Sequence, residues 1–227
     1  MNWKDSFELR AVIFDMDGVL IDSEKHWLTQ GRDLVARWIP GWTDEKQAGV
    51  AGLSGRPLFE FLCRHHGLEA SEEAFLEDYN ESIREIYTTH ARLIDGVVPL
   101  LDEISASNLK LALATSSPRK WIDVVAGRFG FQKWFDLMVS ATDLGCRAKP
   151  APDIYFGTAG LLSVCPPECL VVEDSAPGIA AARDAGMKVV GLRNGFNEGQ
   201  DLSCATSMME GLVNSSLVAL TKHFDEG

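Results

Sequence analysis

Five short apolar runs, set far apart along 227 residues, constrain this fold more than any other feature. They are Ala11–Phe14, Lys110–Ala114, Leu170–Val172, Lys188–Leu192 and a weaker one at Leu137–Ser140. A strand with one wet face alternates apolar and polar residues. These runs are continuous, which suits strands covered on both faces, as in a parallel sheet. Helical stretches lie between or after them: Pro118–Phe129, Pro152–Leu162 and Pro177–Ala185, with Gly186 as a C-terminal stop. Strand and helix in alternation predict an α/β fold with a doubly wound parallel sheet.

Residues 23–94 break the rhythm. Trp27, Leu28, Leu34, Val35 and Trp38 keep helical spacing, as do Phe75, Tyr79, Ile83, Ile86 and Tyr87. Ser71 before Glu72 and Glu73 reads as an N-cap, and Pro57 suits the first position of a helix over Leu58–His66. A stretch this long exceeds one crossover connection. It is expected to be an inserted, small, all-helical cap domain. The Rossmann-like core domain would then comprise residues 1–22 and 95–227, with hinges near Ser23 and Asp95-Gly96. Trp27, Trp38 and Trp42 are expected in the cap's own core. Gly195–Ser207 reads as loop, and "SLVALTKHF" as a final amphipathic helix.

Apolar residues make up 46% of the chain, enough for a full core, and the net charge is −12. No Lys/Arg cluster offers the basic face that nucleic acid requires. No apolar run nears the roughly 18 residues of a membrane span, and "MNWKDSFELR" lacks a signal peptide's apolar centre. The five cysteines form no CxxC pair and suit reduced thiols in a cytoplasmic protein. Without a heptad pattern, a monomer or weak dimer is expected.

The chemistry gathers at the C-terminal ends of the runs. The first ends in Asp15-Met16-Asp17, the second in Thr115-Ser116-Ser117, and Leu170–Val172 in Glu173-Asp174. Lys149 follows the weak run. Ligands of open α/β sheets bind at those ends. Acids, hydroxyls and an amine from four distant segments should therefore share one rim. Carboxylates crowded there repel one another unless a hard divalent cation neutralises them, most simply Mg²⁺, with Mn²⁺ or another divalent ion able to substitute.

"FDMDGVLIDS" resembles the first motif of the haloacid dehalogenase superfamily, and the later motifs fall in that family's order. Thr115, Lys149 and Glu173-Asp174 match its second, third and fourth motifs. "AKPAPDIY" and "EDSAPGIAAARDAG" resemble its sugar-phosphate branch, which includes β-phosphoglucomutases and phosphatases of 2-deoxyglucose 6-phosphate and hexitol phosphates. The resemblance implies Asp15 as nucleophile and Asp17 as general acid and base. It implies a metal ion held by Asp15, the Asp17 carbonyl and Asp174, with Glu173 behind it through water. Phosphate would meet Thr115, the Ser116 N–H and Lys149. Lys25 and Arg56 are the cap residues proposed to meet substrate, a small phosphorylated sugar or sugar alcohol.

Four alternatives to the phosphatase would each leave a mark on particular residues. The mutases resembled carry a His at the position aligned with Trp27; His26 is one residue off, about 100° round a helix. Dehalogenases of the superfamily lack the second acid, which here is Asp17. Phosphonate hydrolysis needs an activated cap lysine, and nothing around Lys46 suggests one. A non-catalytic phosphate-binding module would be expected to lack motif residues, and none is missing.

Overall fold

The computed structural model describes residues 8–50 and 53–222. The opening residues of "MNWKDSFELR", up to Phe7, and the His223–Phe224 end of the expected last helix lie outside them. The chain forms two compact units, one of residues Ser23–Arg92 and one of everything before and after. No helix among the described residues is long and apolar enough to cross a membrane.

Strand β1 (Ala11–Phe14) is buried at every residue. The chain then leaves the sheet for the inserted unit. There, α1 (Ser23–His26) runs through a π-helical turn (Trp27–Gly31) into α2 (Arg32–Trp38), followed by α3 (Asp44–Ala48), α4 (Gly55–His66) and α5 (Glu72–Glu85). The Ser71 side chain accepts from the Ala74 N–H at 3.2 Å, as an N-cap should. Helix α4 starts at Gly55, so Pro57 is its third residue rather than its first; no N–H is needed anywhere in a first turn. Leu34, Val35, Trp42, Leu58, Leu62, Phe75 and Tyr79 fill this unit's core, with Trp27 and Trp38 packed against it. The Trp42 indole donates to Gln47 (2.9 Å) and that of Trp38 to Asp78 (2.9 Å).

The return to the other unit is tied down. Leu93 bridges Ile21, the Ile94 N–H donates to the Leu20 carbonyl (3.0 Å), and Gly96 takes φ +90° close against the Leu212–Val213 backbone. The expected hinge at Asp95-Gly96 is thus within sheet-bearing structure. The unit continues with α6 (Val97–Ser105), β2 (Lys110–Thr115), α7 (Arg119–Phe129), β3 (Leu137–Ser140), α8 (Asp153–Leu162), β4 (Cys169–Glu173), α9 (Ala176–Asp184), β5 (Lys188–Leu192), β6 (Ser207–Met209) and α10 (Leu217–Thr221).

All six strands are parallel, in the order β3-β2-β1-β4-β5-β6. Ala11 and Ile13 pack with Ala112, Ala114, Val171 and Val189 against Ile154 and Tyr155 of α8 and Ile179 and Ala182 of α9. Val12 and Phe14 point the other way and are equally buried, so both faces are covered. Strand β6 falls at the end of the segment expected to be loop: three residues, paired with β5 alone, carry no periodicity to read.

Candidate active site

The strand order reverses at β1. The chain winds outward through β2 and β3, then returns to β4 on β1's other side. Such a switch point opens a crevice at the strands' C-terminal ends. Register places the chemistry there: Phe14 pairs with Val172, and the Asp15 N–H donates to the Val172 carbonyl at 3.1 Å, so Asp15 leaves β1 beside Glu173 and Asp174. Oxygens of these three buried carboxylates lie within 4.8 Å of one another.

Lys149 reaches into this cluster from the loop before α8. Its ammonium donates to Asp15 Oδ1 (2.5 Å), Glu173 Oε1 (2.6 Å) and the Ala114 carbonyl (3.2 Å), which uses all three protons. Burial works against the Lys149 charge, but Asp15 and Glu173 outweigh it and hold the ammonium well above its ordinary range. Burial also pushes the Asp15 carboxyl up, to about 7; Lys149 opposes this, while Glu173 and Asp17 add to it.

Glu173 is 1% exposed and is the hub of the cluster. Its Oε1 accepts from Lys149 and from the Tyr155 hydroxyl (3.1 Å). Its Oε2 accepts from the N–H groups of Asp174 (2.9 Å) and Ser175 (3.0 Å) and from Ser175 Oγ (3.0 Å). Five donors occupy the carboxylate. Burial, with Glu173's charge, pushes the Tyr155 phenol well up, so it stays a donor.

Asp17 is half-buried, and Ser117 Oγ donates to its Oδ2 at 2.9 Å. Ser117 is itself held: its N–H donates to Thr115 Oγ1 (3.1 Å), and its carbonyl accepts from the buried Ser140 hydroxyl (2.6 Å). Thr115 is buried and Ser116 exposed, both at the end of β2. Gly18, at φ +75°, lets the chain turn where a side chain would overlap the Asp174 carboxylate. Asp15, Asp17, Thr115, Lys149, Glu173 and Asp174 are therefore all at the C-terminal ends of neighbouring strands. Lys25 and Arg56 belong to the other unit, where Arg56 is exposed and paired with Glu60 (3.1 Å) and Glu72 (3.3 Å).

A strand, two acids, a lysine and a second acid pair in this order and geometry define a family, and residues 12–192 match the model of the haloacid dehalogenase-like hydrolases. The chain belongs to that family. A phosphorylated carbohydrates phosphatase of Thermotoga maritima is 30% identical over 195 residues, covering 86% of this chain and 90% of that one. A β-phosphoglucomutase of Bacillus subtilis is 27% identical over 194 residues, covering 82% and 84%. The solved structure of CbbY from Rhodobacter sphaeroides, at 21% identity, shares the fold with a TM-score of 0.80 over 93% of this chain and 99% of its own.

Three residues not expected at the site from the sequence join this cluster. Tyr155 arrives from α8, and Asn194 and Asn197 from the segment after β5. The Asn194 amide donates to Asp174 Oδ2 (2.9 Å), and the Asn197 amide to the Asp174 carbonyl (2.7 Å). Asn197 lies within Gly195–Ser207, the segment read as loop, and braces the Asp174 backbone from there. The usable signal was positional: residues directly after a buried strand that neighbours β4.

Proposed function

We propose that this chain is a divalent-cation-dependent phosphatase of small phosphorylated carbohydrates, hexose 6-phosphates such as 2-deoxyglucose 6-phosphate or hexitol phosphates. The observation that carries the reading is Lys149 bridging Asp15 and Glu173 at the C-terminal ends of β1 and β4, with Asp17 and Asp174 just beyond. The name of the Thermotoga relative supports the substrate class.

Asp15 is the nucleophile. A bond forms from its carboxylate oxygen to phosphorus as the ester P–O bond breaks, leaving an aspartyl phosphate and an alkoxide. Asp17 protonates that alkoxide, then takes a proton from the water that attacks the phosphorus, releasing inorganic phosphate and freeing Asp15. The Ser117 hydrogen bond holds Asp17 for both transfers. Thr115 Oγ1 already accepts from Ser117, which leaves its own proton to donate to a phosphate oxygen, beside the Ser116 N–H. Lys149 contributes charge to the phosphate rather than a new hydrogen bond, because its three protons are in use.

The donor set fits Mg²⁺: hard oxygens, and buried carboxylates in excess of one lysine. Asp15, Asp174 and the Asp17 carbonyl would hold it, and it would supply positive charge to offset the repulsion between carboxylate and phosphate. Glu173 would stand behind the ion through water, and its five donors tie it to Lys149 and the start of α9.

The test is inorganic phosphate release from a panel of phosphorylated sugars and hexitols, with Mg²⁺ or with chelator, for wild type and Asp15→Asn. Metal-dependent release lost in the variant is expected. Interconversion of β-glucose 1-phosphate and glucose 6-phosphate without release would replace this reading with the mutase, the activity named for the Bacillus relative.

A further inference from the structure

Parallel pairing of Glu173 with Gly191 means that the chain leaving β5 runs beside the chain leaving β4. Residues 193–200 therefore lie against Asp174. They are cross-braced: Arg193 Nη1 donates to the carbonyls of Asn197 (2.8 Å) and Gln200 (3.0 Å), and Gln200 Oε1 accepts from the Ala176 N–H (3.1 Å). The buried Asn197 amide clamps the Asp174 and Leu192 carbonyls at 2.7 and 2.8 Å.

Within this brace the Asn194 side chain is held from behind. Its Oδ1 accepts from the Phe196 N–H (2.9 Å), and the Asn194 backbone N–H donates to Asn197 Oδ1 (3.3 Å). That leaves the amide nitrogen aimed at the site. It donates to Asp174 Oδ2 (2.9 Å) and to the Gly18 carbonyl (2.8 Å). One NH₂ group thus ties the end of β4 to the turn after Asp17. The packing is close: a Cβ on Gly18 would stand 2.6 Å from Asp174 Cγ and 3.0 Å from Asn194 Nδ2.

We propose that Asn194 is a positioning residue for the metal centre, fixing the Asp174 carboxylate against the Asp17-Gly18 turn. Asp174 shares its surroundings with Asp15 and Glu173, and repulsion favours any rotamer that turns it away. A donor on one oxygen removes that freedom. The donor's chemistry matters too. An amide orients the carboxylate without neutralising it, whereas a lysine there would compete with the cation. Groups that orient metal ligands in this way change metal affinity by about 10–100-fold when removed. The inference rests on the reading that Asp174 holds a cation, and the experiment separates the two.

Metal-free full-length protein is titrated with MnCl₂ by calorimetry, for wild type, Asn194→Ala, the near-isosteric Asn194→Leu, and Glu198→Ala as an exposed control in the same segment. The melting temperature in chelator is measured alongside. The expected result is a wild-type dissociation constant that rises about 10–100-fold in both Asn194 variants and is unchanged in the control. Metal-free melting temperatures should stay within about 4 °C of wild type. Asn194 variants that bind Mn²⁺ within twofold of wild type overturn the positioning role and leave the metal site standing. Failure of both variants to fold without metal would assign Asn194 to the scaffold and also overturn it. No Mn²⁺ binding by wild type would overturn the metal reading together with this inference.

Discussion

Gly178→Ala tests whether Glu173 is the structural hub of the site. Gly178 is the third residue of α9, and its N–H donates to the N-cap Ser175 Oγ at 3.1 Å. On helix propensity alone, alanine there should stabilise by about 1 kcal/mol. The structure predicts the opposite. A Cβ at Gly178 would overlap the Glu173 carboxylate, both oxygens and the carbon between them. That carboxylate cannot step aside cheaply, because five donors hold it and Lys149 depends on it. Disrupting a buried ion pair costs about 3–5 kcal/mol, so the propensity gain leaves a net loss of about 2–4 kcal/mol. For a chain of this size each kcal/mol moves the melting temperature by about 2–4 °C, giving a drop of about 4–16 °C.

Thermal unfolding followed by circular dichroism in chelator measures this without a contribution from bound metal. Gly127→Ala is the matched control. Gly127 is exposed in α7, and nothing lies within 4 Å of where its Cβ would be. There the propensity gain should appear alone, as stabilisation of about 0.5–1 kcal/mol. If Gly178→Ala melts at or above wild type, Glu173 has room to move and the hub argument fails.

Three further outcomes follow from local structure. Cys165 and Cys204 are exposed and should alkylate in the native protein, whereas burial pushes the Cys169 thiol up to about 12; peptide mass spectrometry after iodoacetamide should find Cys169 modified only in denaturant. In the inserted unit, Asp78 accepts from Arg37 Nη2 (2.7 Å) and from the Trp38 indole (2.9 Å); Asp78→Ala should cost about 1–3 kcal/mol in urea unfolding read by tryptophan fluorescence, and no change would show the pair to be idle. Burial raises the Asp143 carboxyl, but Arg119 and the Ser140 N–H outweigh it and hold it below the ordinary range. Its stabilisation is therefore present above an unfolded carboxylate's pKa of about 3.9 and lost as pH falls through the lower folded value, so Asp143→Asn should flatten the stability profile below about pH 4.

Which parts of the molecule can be read from the sequence follows from which forces are local. Strands β1, β2, β4 and β5 were legible because burial on both faces demands continuous apolar runs, and β6 was not, because a three-residue edge strand is specified by its neighbour. Helix starts shifted by a residue or two for a related reason: Pro118 and Pro152 cap their helices from outside, while Pro57 and Pro177 sit inside the first turn, and all four positions lack a required N–H donor.

The same division runs through the site. Asp15, Asp17, Glu173 and Asp174 could be named because acids recur at the ends of separate apolar runs, and Lys149 because it falls in the family's motif order after the weak run. Tyr155, Asn194 and Asn197 are ordinary residues in ordinary places. They reach Glu173 and Asp174 only because α8 and β5 pack beside β4. Glu173 shows what that hides. As a bare acid in the sequence it reveals none of the five donors that hold it, nor that one of them, Lys149, also donates to Asp15. Its neighbour Asp174 accepts instead from the uncharged Asn194 amide. Two adjacent carboxylates at one strand end thus sit in different hydrogen-bond surroundings, set by which donors the fold brings to each.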